Sequence, residues 1–189
     1  MPKGPLIIIS GPSGSGKSTV IARLLERQDL PLHLSVSATT RQPRDAEQNG
    51  RDYFFLPKQE FLERIARDEF LEHAEVHGNF YGTLKEQVEP FRDKGQGVIL
   101  DIDVQGTAKV RIRCPDHVSI FLQPPSLTVL EQRLRDRKTE SEQAIELRLR
   151  NASRELTHAN EYQYQVVNDD AERAVQEIHS ILVPLFGRP

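Results

Sequence analysis

The run Gly11-Pro12-Ser13-Gly14-Ser15-Gly16-Lys17-Ser18-Thr19 meets the pattern G-x-x-x-x-G-K-[ST] at Gly11, Gly16, Lys17 and Ser18. Each position has a physical task in holding nucleotide phosphates. Gly14 and Gly16 let the backbone turn tightly and bring its N–H groups against phosphate oxygens, at a helix N-terminus whose partial positive charge favours an anion. Lys17 can reach the terminal phosphates of a nucleoside triphosphate, and the Ser18 hydroxyl suits a Mg²⁺ ion. A second signal lies in Ser35-Val36-Ser37-Ala38-Thr39-Thr40-Arg41-Gln42-Pro43-Arg44, where two arginines three residues apart follow small hydroxyl residues. Such guanidiniums can fork-bind a phosphate monoester through charge-assisted hydrogen bonds.

These groups need a scaffold, and the hydrophobic pattern supplies one. Strand-like apolar runs at Leu6–Ile9, Val98–Ile102, Val118–Leu122 and Tyr164–Val167 are followed by helix-like segments at about residues 17–28, 104–113, 126–135 and 171–186. The alternation predicts an α/β fold in which a parallel sheet is covered by helices on both faces. Ligands in such sheets bind at the carboxyl ends of the strands. The glycine loop falls there, after the first run, and Asp101 and Asp103 fall at the end of the second.

Between Leu32 and about Lys94 the pattern changes. Short strands are expected at Ser35–Ser37, Asp52–Leu56 and Glu72–Val76, joined by turn-rich stretches such as Asn49-Gly50 and His77-Gly78-Asn79. This predicts an inserted small β-rich lobe. A charged segment from Arg133 to Arg150 also carries Arg135, Arg137 and Arg148; in it Ile145 and Leu149 stand at i,i+4 with few companions, so its apolar face is narrow. No internal repeat or low-complexity tract is present.

Composition bounds the function. The 189 residues suffice for one α/β domain with insertions, and 25 basic against 28 acidic side chains leave a net charge of -3. With no long block of like charge, nucleic acid is not the expected main partner. Cys114 is the one cysteine, which excludes an intramolecular disulfide and a cysteine-cluster metal site and suits a reducing cytoplasm. The apolar stretch Leu6–Ile9 is too short for a signal-peptide core or a membrane span, so no membrane partner is expected. His73 and His77 have no metal-ligand partner at a convincing spacing and are read as structural or surface histidines.

After the double-arginine element come, in order, Gly50-Arg51-Asp52-Tyr53-Phe54-Phe55, Phe70-Leu71-Glu72-His73-Ala74-Glu75, Gly78-Asn79-Phe80-Tyr81-Gly82-Thr83 and Leu100-Asp101-Ile102-Asp103-Val104-Gln105-Gly106. With the phosphate loop, this ordered set strongly resembles guanylate kinase, which moves the γ-phosphoryl of ATP onto GMP. The resemblance runs from Leu6 to Asn168-Asp169-Asp170. It implies a single domain over 1–189 with three parts. These are a P-loop NTPase-type core (about 1–33, 95–125 and 160–189), a GMP-binding lobe (about 34–94) and a helical lid (about 126–159).

Carried over residue by residue, the resemblance implies that Ser37, Arg41, Arg44, Tyr53 and Tyr81 hold the GMP phosphate, and that Glu72, Thr83 and Asp103 surround the guanine. The chemistry agrees: an ionised Glu72 can accept from guanine N1–H and the exocyclic amino group, a donor pair that adenine lacks on that edge, and Thr83 can donate to O6. On the ATP side the resemblance implies Lys17 on the β- and γ-phosphates, Ser18 and Asp101 at Mg²⁺, Asn168 at adenine, and Arg133, Arg137 and Arg148 closing over the transferring group. The partners it implies are the small molecules GMP and ATP, with dGMP as a further acceptor; monomer and homo-oligomer are both left open.

The chain departs from the family pattern at a few positions. Asp136 and Lys138 occupy lid positions of which one or both are expected to be glycine, Ala46 stands where glycine is usual and Leu84 where serine is common. Two other functions share part of this pattern. A ribose-bisphosphate kinase of related fold would need the arginines but not Glu72 and Thr83. A non-catalytic guanylate-kinase-like interaction module would lack the intact Lys17 and Ser18, and the chain is read as carrying no flanking adaptor domains.

Overall fold

The computed structural model describes residues 2–76, 78–136 and 141–187. In chain order its elements are β1 (Leu6–Ser10), α1 (Lys17–Glu26), β2 (Leu32–Leu34), β3 (Ala38–Thr39), β4 (Phe54–Phe55), α2 (Lys58–Ala66), β5 (Phe70–Val76), β6 (Asn79–Leu84), α3 (Glu89–Asp93), β7 (Gly97–Asp101), α4 (Val104–Arg113), β8 (Val118–Gln123), α5 (Leu127–Asp136), α6 (Glu142–Leu156), β9 (Tyr164–Val167) and α7 (Ala171–Leu182). The strands form a five-stranded sheet of order β2-β7-β1-β8-β9 and a four-stranded sheet of order β4-β3-β6-β5. Parallel registers run through the larger sheet, with Ile9 opposite Ile120, Leu122 opposite Val166 and Leu34 opposite Ile99. The expected parallel α/β architecture is therefore present.

Two compact units emerge from the contacts. One comprises Ile7–Leu30, Asp101–Val104 and Val118–Pro189. β1 and β8 read as continuous apolar runs because they are covered on both faces; Ile7 to Ile9 are fully buried, as are Ile120 to Leu122. In α7 the buried residues Ala174, Ile178 and Leu182 recur every four positions, and the Asp170 side chain caps the helix by accepting from Arg173 N at 2.9 Å. The sequence pattern carries this helix to about 186. In the structure α7 ends at Leu182, and a short 3₁₀ turn over Val183–Phe186 takes its place, because Pro184 offers no N–H to an α-helical bond. The narrow apolar row of the charged segment suffices for a 15-residue helix, α6, once Ile145, Leu149 and Ala152 pack with Leu130 and Leu134 of α5.

The other unit comprises Met1–Leu6, Pro31–Leu100 and Gln105–His117. It differs from the sequence reading in three local ways. Leu32–Leu34 is a strand of the larger sheet. Ser35–Ser37 is a link between β2 and β3, although Ser35 N still donates to Ile99 O at 2.9 Å and Ser37 O accepts from Phe54 N at 2.9 Å. Of the expected strand Asp52–Leu56 only Phe54–Phe55 is laddered, in parallel with β3. Segments this short give too few positions for a period to be read. Arg92 of α3 is a buried arginine that the sequence did not flag. Its Nε donates to Gly4 O at 2.8 Å and its Nη2 to Asp116 Oδ2 at 2.5 Å.

The four-stranded sheet has a core on one face, made by Ala38, Phe61, Phe70 and Leu84 with Phe54, Leu56, Ile65 and Phe80 against them. Phe61, on α2, stacks on Phe70 at 4.3 Å and on Phe80 at 5.6 Å between ring centroids. Phe61→Ala should therefore lower stability by about 3–5 kcal/mol, read as a drop in the urea midpoint of unfolding. A loss below about 1 kcal/mol would show that this cluster does not hold the lobe together.

Candidate active site

Between β1 and α1 the chain makes the glycine loop. Gly16 caps α1 in a left-handed conformation, φ 93°, and a Cβ there would stand 2.3 Å from Asn168 Nδ2. Gly14, φ 90°, lies under α5, so that a Cβ would meet Leu130 at 2.8 Å and Leu134 at 3.2 Å. Both positions therefore require glycine for conformation and for space. The loop is braced from several sides. Asn168, buried just after β9, donates from Nδ2 to Ser15 O at 2.6 Å; Arg133 Nη2 donates to Asn168 O at 2.8 Å; Arg148 Nη1 donates to Ser13 Oγ at 3.0 Å. Lys17 Nζ donates to Gly11 O at 2.5 Å and Pro12 O at 3.5 Å. Ser18 follows in the first turn of α1 with its side chain exposed.

Two carboxyls belong to the same unit. Burial pushes the Asp101 carboxyl above its ordinary range, and the Lys17 ammonium opposes that shift. Glu155 of α6, which the sequence reading missed, is also pushed up, first by burial and then by Asp103, while Lys17 and His158 pull it down. Asp103 is half-buried between β7 and α4. Nothing in the sequence singles out Glu155 among the charged residues of α6.

The acceptor-side residues line up by strand alternation. On β6, Phe80, Gly82 and Leu84 point to the core face, so Tyr81 and Thr83 point to the other. The registers carry this across the sheet: Thr39 lies opposite Tyr81 and Phe55 opposite Thr39, Tyr53 just before β4 meets the Tyr81 ring, and Ser37 immediately precedes β3. Glu72 pairs with Thr83 on β5 and joins them; Thr83 Oγ1 donates to Glu72 Oε1 at 2.8 Å, both side chains being buried. A hydroxyl has one proton, so Thr83 orients Glu72 here and donates elsewhere only by releasing it.

Arg41 lies over the same residues, its Cζ 5.5 Å from the Tyr53 ring and 5.8 Å from that of Phe55, while Tyr53 and Tyr81 meet edge-on at 6.1 Å. Glu47 grips this arginine. Arg41 Nη1 and Nη2 donate to the two Glu47 carboxylate oxygens at 3.0 and 2.9 Å, Nη1 also donates to Gln42 O at 2.8 Å, and Arg44 N donates to Glu47 at 2.8 Å. The Arg41 hydrogen bonds, the Arg44 backbone bond and the charge of both arginines hold the Glu47 carboxyl down at about 2. Sequence reasoning did not include Glu47, because a glutamate six residues after an arginine has no distinctive spacing in a loop. The Arg44 side chain is exposed. Leu84 is buried opposite Phe70 and Asp136 ends α5. Arg137, Lys138 and His77 lie outside the described residues.

A family model described as guanylate kinase matches residues 3–184. The guanylate kinase of Clostridium perfringens is 50% identical over 181 residues, covering 96% of this chain and 83% of that protein. That of Rickettsia felis is 47% identical over 181 residues, covering 96% of this chain and 94% of that protein. Among solved structures, guanylate kinase from Anaplasma phagocytophilum superposes with a TM-score of 0.78 at 38% identity, over 96% of this chain and 86% of that one.

The Arg41–Glu47 fork predicts a pH-dependent contribution to stability. Because the folded carboxyl is depressed from 4.5 to about 2, its benefit is complete above the unfolded value and is lost as pH falls through the folded one. Glu47→Gln should cost roughly 1 kcal/mol at neutral pH, and the gap between the two proteins should narrow as pH drops below about 4.5. Thermal melts at pH 7, 5 and 3.5 test this; a constant gap would remove the carboxylate as its source.

Proposed function

The chain belongs to the guanylate kinase family and catalyses the ATP-dependent phosphorylation of GMP to GDP, and from that premise we propose the following roles for its residues. ATP is the phosphoryl donor, held by Gly11 to Thr19 at the N-terminus of α1, where backbone N–H groups and the helix dipole favour phosphate oxygens. Lys17 exchanges its loop carbonyls for the β- and γ-phosphates. Arg133, Arg137 and Arg148 add positive charge around the transferring group, in a transition state that spreads negative charge over its equatorial oxygens. Asn168, whose amide braces the loop at Ser15, stands next to the adenine.

GMP is held by the lobe of about residues 34–94, and the part of about 126–159 acts as a lid over a core formed by the rest. Ser37, Arg41, Arg44, Tyr53 and Tyr81 take the GMP phosphate. Glu47 holds the Arg41 fork in orientation for it. Glu72, steadied by Thr83, accepts from guanine N1–H and the amino group, with Asp103 beside the base. The observation that carries this reading is the polar face that gathers Glu72, Tyr81 and Thr83, with Tyr53 against Tyr81, opposite an apolar core. A phosphate oxygen of GMP attacks the γ-phosphorus in line, the bond to the ADP oxygen breaks, and no side chain becomes a covalent intermediate. In this proposal dGMP is a further acceptor.

The donor set fits Mg²⁺. The Ser18 hydroxyl and the Asp101 carboxylate are hard oxygen ligands of the kind that suit Mg²⁺, an ion usually held by one or two protein oxygens together with substrate phosphates and water. When bound, the ion supplies neutralising charge at the phosphate oxygens. Ser10 and Ser15 present buried hydroxyls without a hydrogen-bond partner among the described residues, at the end of β1 and inside the loop, where polar ligands would complete them. The single cysteine suits a cytoplasmic setting. Among the described residues no helix is long and apolar enough to cross a membrane.

Two variants test the assignment. Lys17→Ala should lower kcat by on the order of 10³-fold or more while the protein stays folded; near-normal turnover would end the donor-side proposal. Arg41→Met should raise KM for GMP and cut kcat, since the fork both binds and orients the attacking phosphate, with ATP affinity unchanged. An equal loss of ATP affinity would place Arg41 on the donor side.

A further inference from the structure

Period two along a strand puts residues i and i+2 on the same face, yet Phe70 and Glu72 of β5 serve opposite faces. Phe70 is packed in the core with Phe61 and Leu84, while Glu72 is bonded to Thr83 on the polar face. The register explains how. Phe70 pairs with Leu84 and Glu72 with Thr83, an advance of two residues on β5 for one on β6, so Leu71 is the extra residue of a β-bulge. Gly82 makes room beside it, since a Cβ there would stand 2.7 Å from the Phe70 ring and 2.8 Å from Glu72 O.

A bulge leaves its extra residue out of the ladder, and here two cations of α4 take up the backbone. Arg113 Nη1 donates to Phe70 O at 2.9 Å and to Leu71 O at 3.1 Å. Lys109, one turn earlier on the same helix face, donates from Nζ to His73 O. Carbonyls on both sides of Glu72 are thus held by α4. The His73 imidazole, pushed down first by burial and then by these two cations, reports the same neighbourhood. Asp68 Oδ1, 3.6 Å from Arg113 Nη1, adds a surface ion pair on the far side of the strand start.

We propose that Lys109 and Arg113 are positioning residues for guanine selection: by gripping the β5 backbone on either side of Glu72, they hold the bulge that turns its carboxylate onto the polar face. Neither side chain touches the base. The inference rests on the assignment of Glu72 as the reader of guanine N1–H and the 2-amino group. Loosening the grip leaves the carboxylate present but misaimed, so the effect falls on discrimination and on GMP affinity rather than on phosphoryl transfer.

The test compares kcat/KM for GMP and for IMP, which lacks the 2-amino group, in the full chain and in Arg113→Ala, Lys109→Met, Glu72→Gln and the double variant Arg113→Ala/Glu72→Gln. Arg113→Ala should shrink the GMP-to-IMP ratio roughly 3- to 10-fold through KM for GMP, with kcat and KM for ATP unchanged. Lys109→Met should act in the same direction, and Arg113→Lys should recover part of the ratio. In the Glu72→Gln background Arg113→Ala should change the ratio no further, because it acts through the carboxylate already removed. An unchanged ratio in both Arg113→Ala and Lys109→Met, with Glu72→Gln still impaired, overturns the positioning role alone. Independent, multiplying effects of Arg113→Ala and Glu72→Gln overturn it as well. An unchanged ratio in Glu72→Gln itself overturns the reading of Glu72 on which it rests. If Arg113→Ala does not fold, the Lys109→Met ratio decides.

Discussion

A parallel strand covered on both faces has no surface to spare for chemistry. Leu6 to Ser10 are wholly buried, and the ladder takes up the backbone groups of β1, so the chain first comes to the surface beyond the strand, at Ser13 of the glycine loop. The same constraint sends the neighbouring strands' contributions to their ends: β9 delivers Asn168 to Ser15 O, and β7 closes on Asp101. The glycine loop turns this geometric necessity into an anion site, because the turn out of β1 leads directly into the positive end of α1. Glycines are needed there less for flexibility than for room, since Asn168 and the α5 leucines press on the loop from outside.

The four-stranded sheet solves a different problem. Its two faces differ in kind: Ala38, Phe54, Phe80 and Leu84 go to the core around Phe61, while alternation sends Thr39, Tyr81 and Thr83 to a polar face on which Thr39 and Thr83 are buried as well. Strict alternation would have sent Glu72 the same way as Phe70. The bulge at Leu71 removes that conflict at the cost of unladdered carbonyls, which Arg113 accommodates. The placement of Glu72 on the polar face thus depends on an irregularity in a strand, held by a helix that lies outside the sheet.

Charge is placed with comparable economy. The arginine fork at Arg41 is held along its Nη1–Nη2 edge by Glu47 and Gln42, which fixes the plane of the guanidinium. Lys17 rests on loop carbonyls rather than on a carboxylate, so moving it onto a phosphate breaks no ion pair among those bonds. Phosphoryl transfer asks for positioned charge and excluded water rather than for a nucleophile, and this inventory of cations, hydroxyls and hydrogen-bonded carboxylates is of that kind.

The sequence by itself determined the parallel α/β class, the glycine loop and the family. Those features are written locally: a run of isoleucines, glycines at fixed offsets, and arginines, tyrosines and carboxylates in a set order. It also located the helices that carry a strong apolar period, such as α7. Only the tertiary structure decided that Leu32–Leu34 joins the larger sheet, that α6 is held by a few residues meeting Leu130 and Leu134, that Glu47 pairs with Arg41, and that Lys109 and Arg113 of α4 hold carbonyls of β5. Each of these depends on partners distant in sequence or on an exposed charge whose neighbours no local pattern names. The face of Glu72 is the clearest case. Two residues apart in sequence means the same side of a strand, and only the register against β6, with one residue left over, places Glu72 on the other.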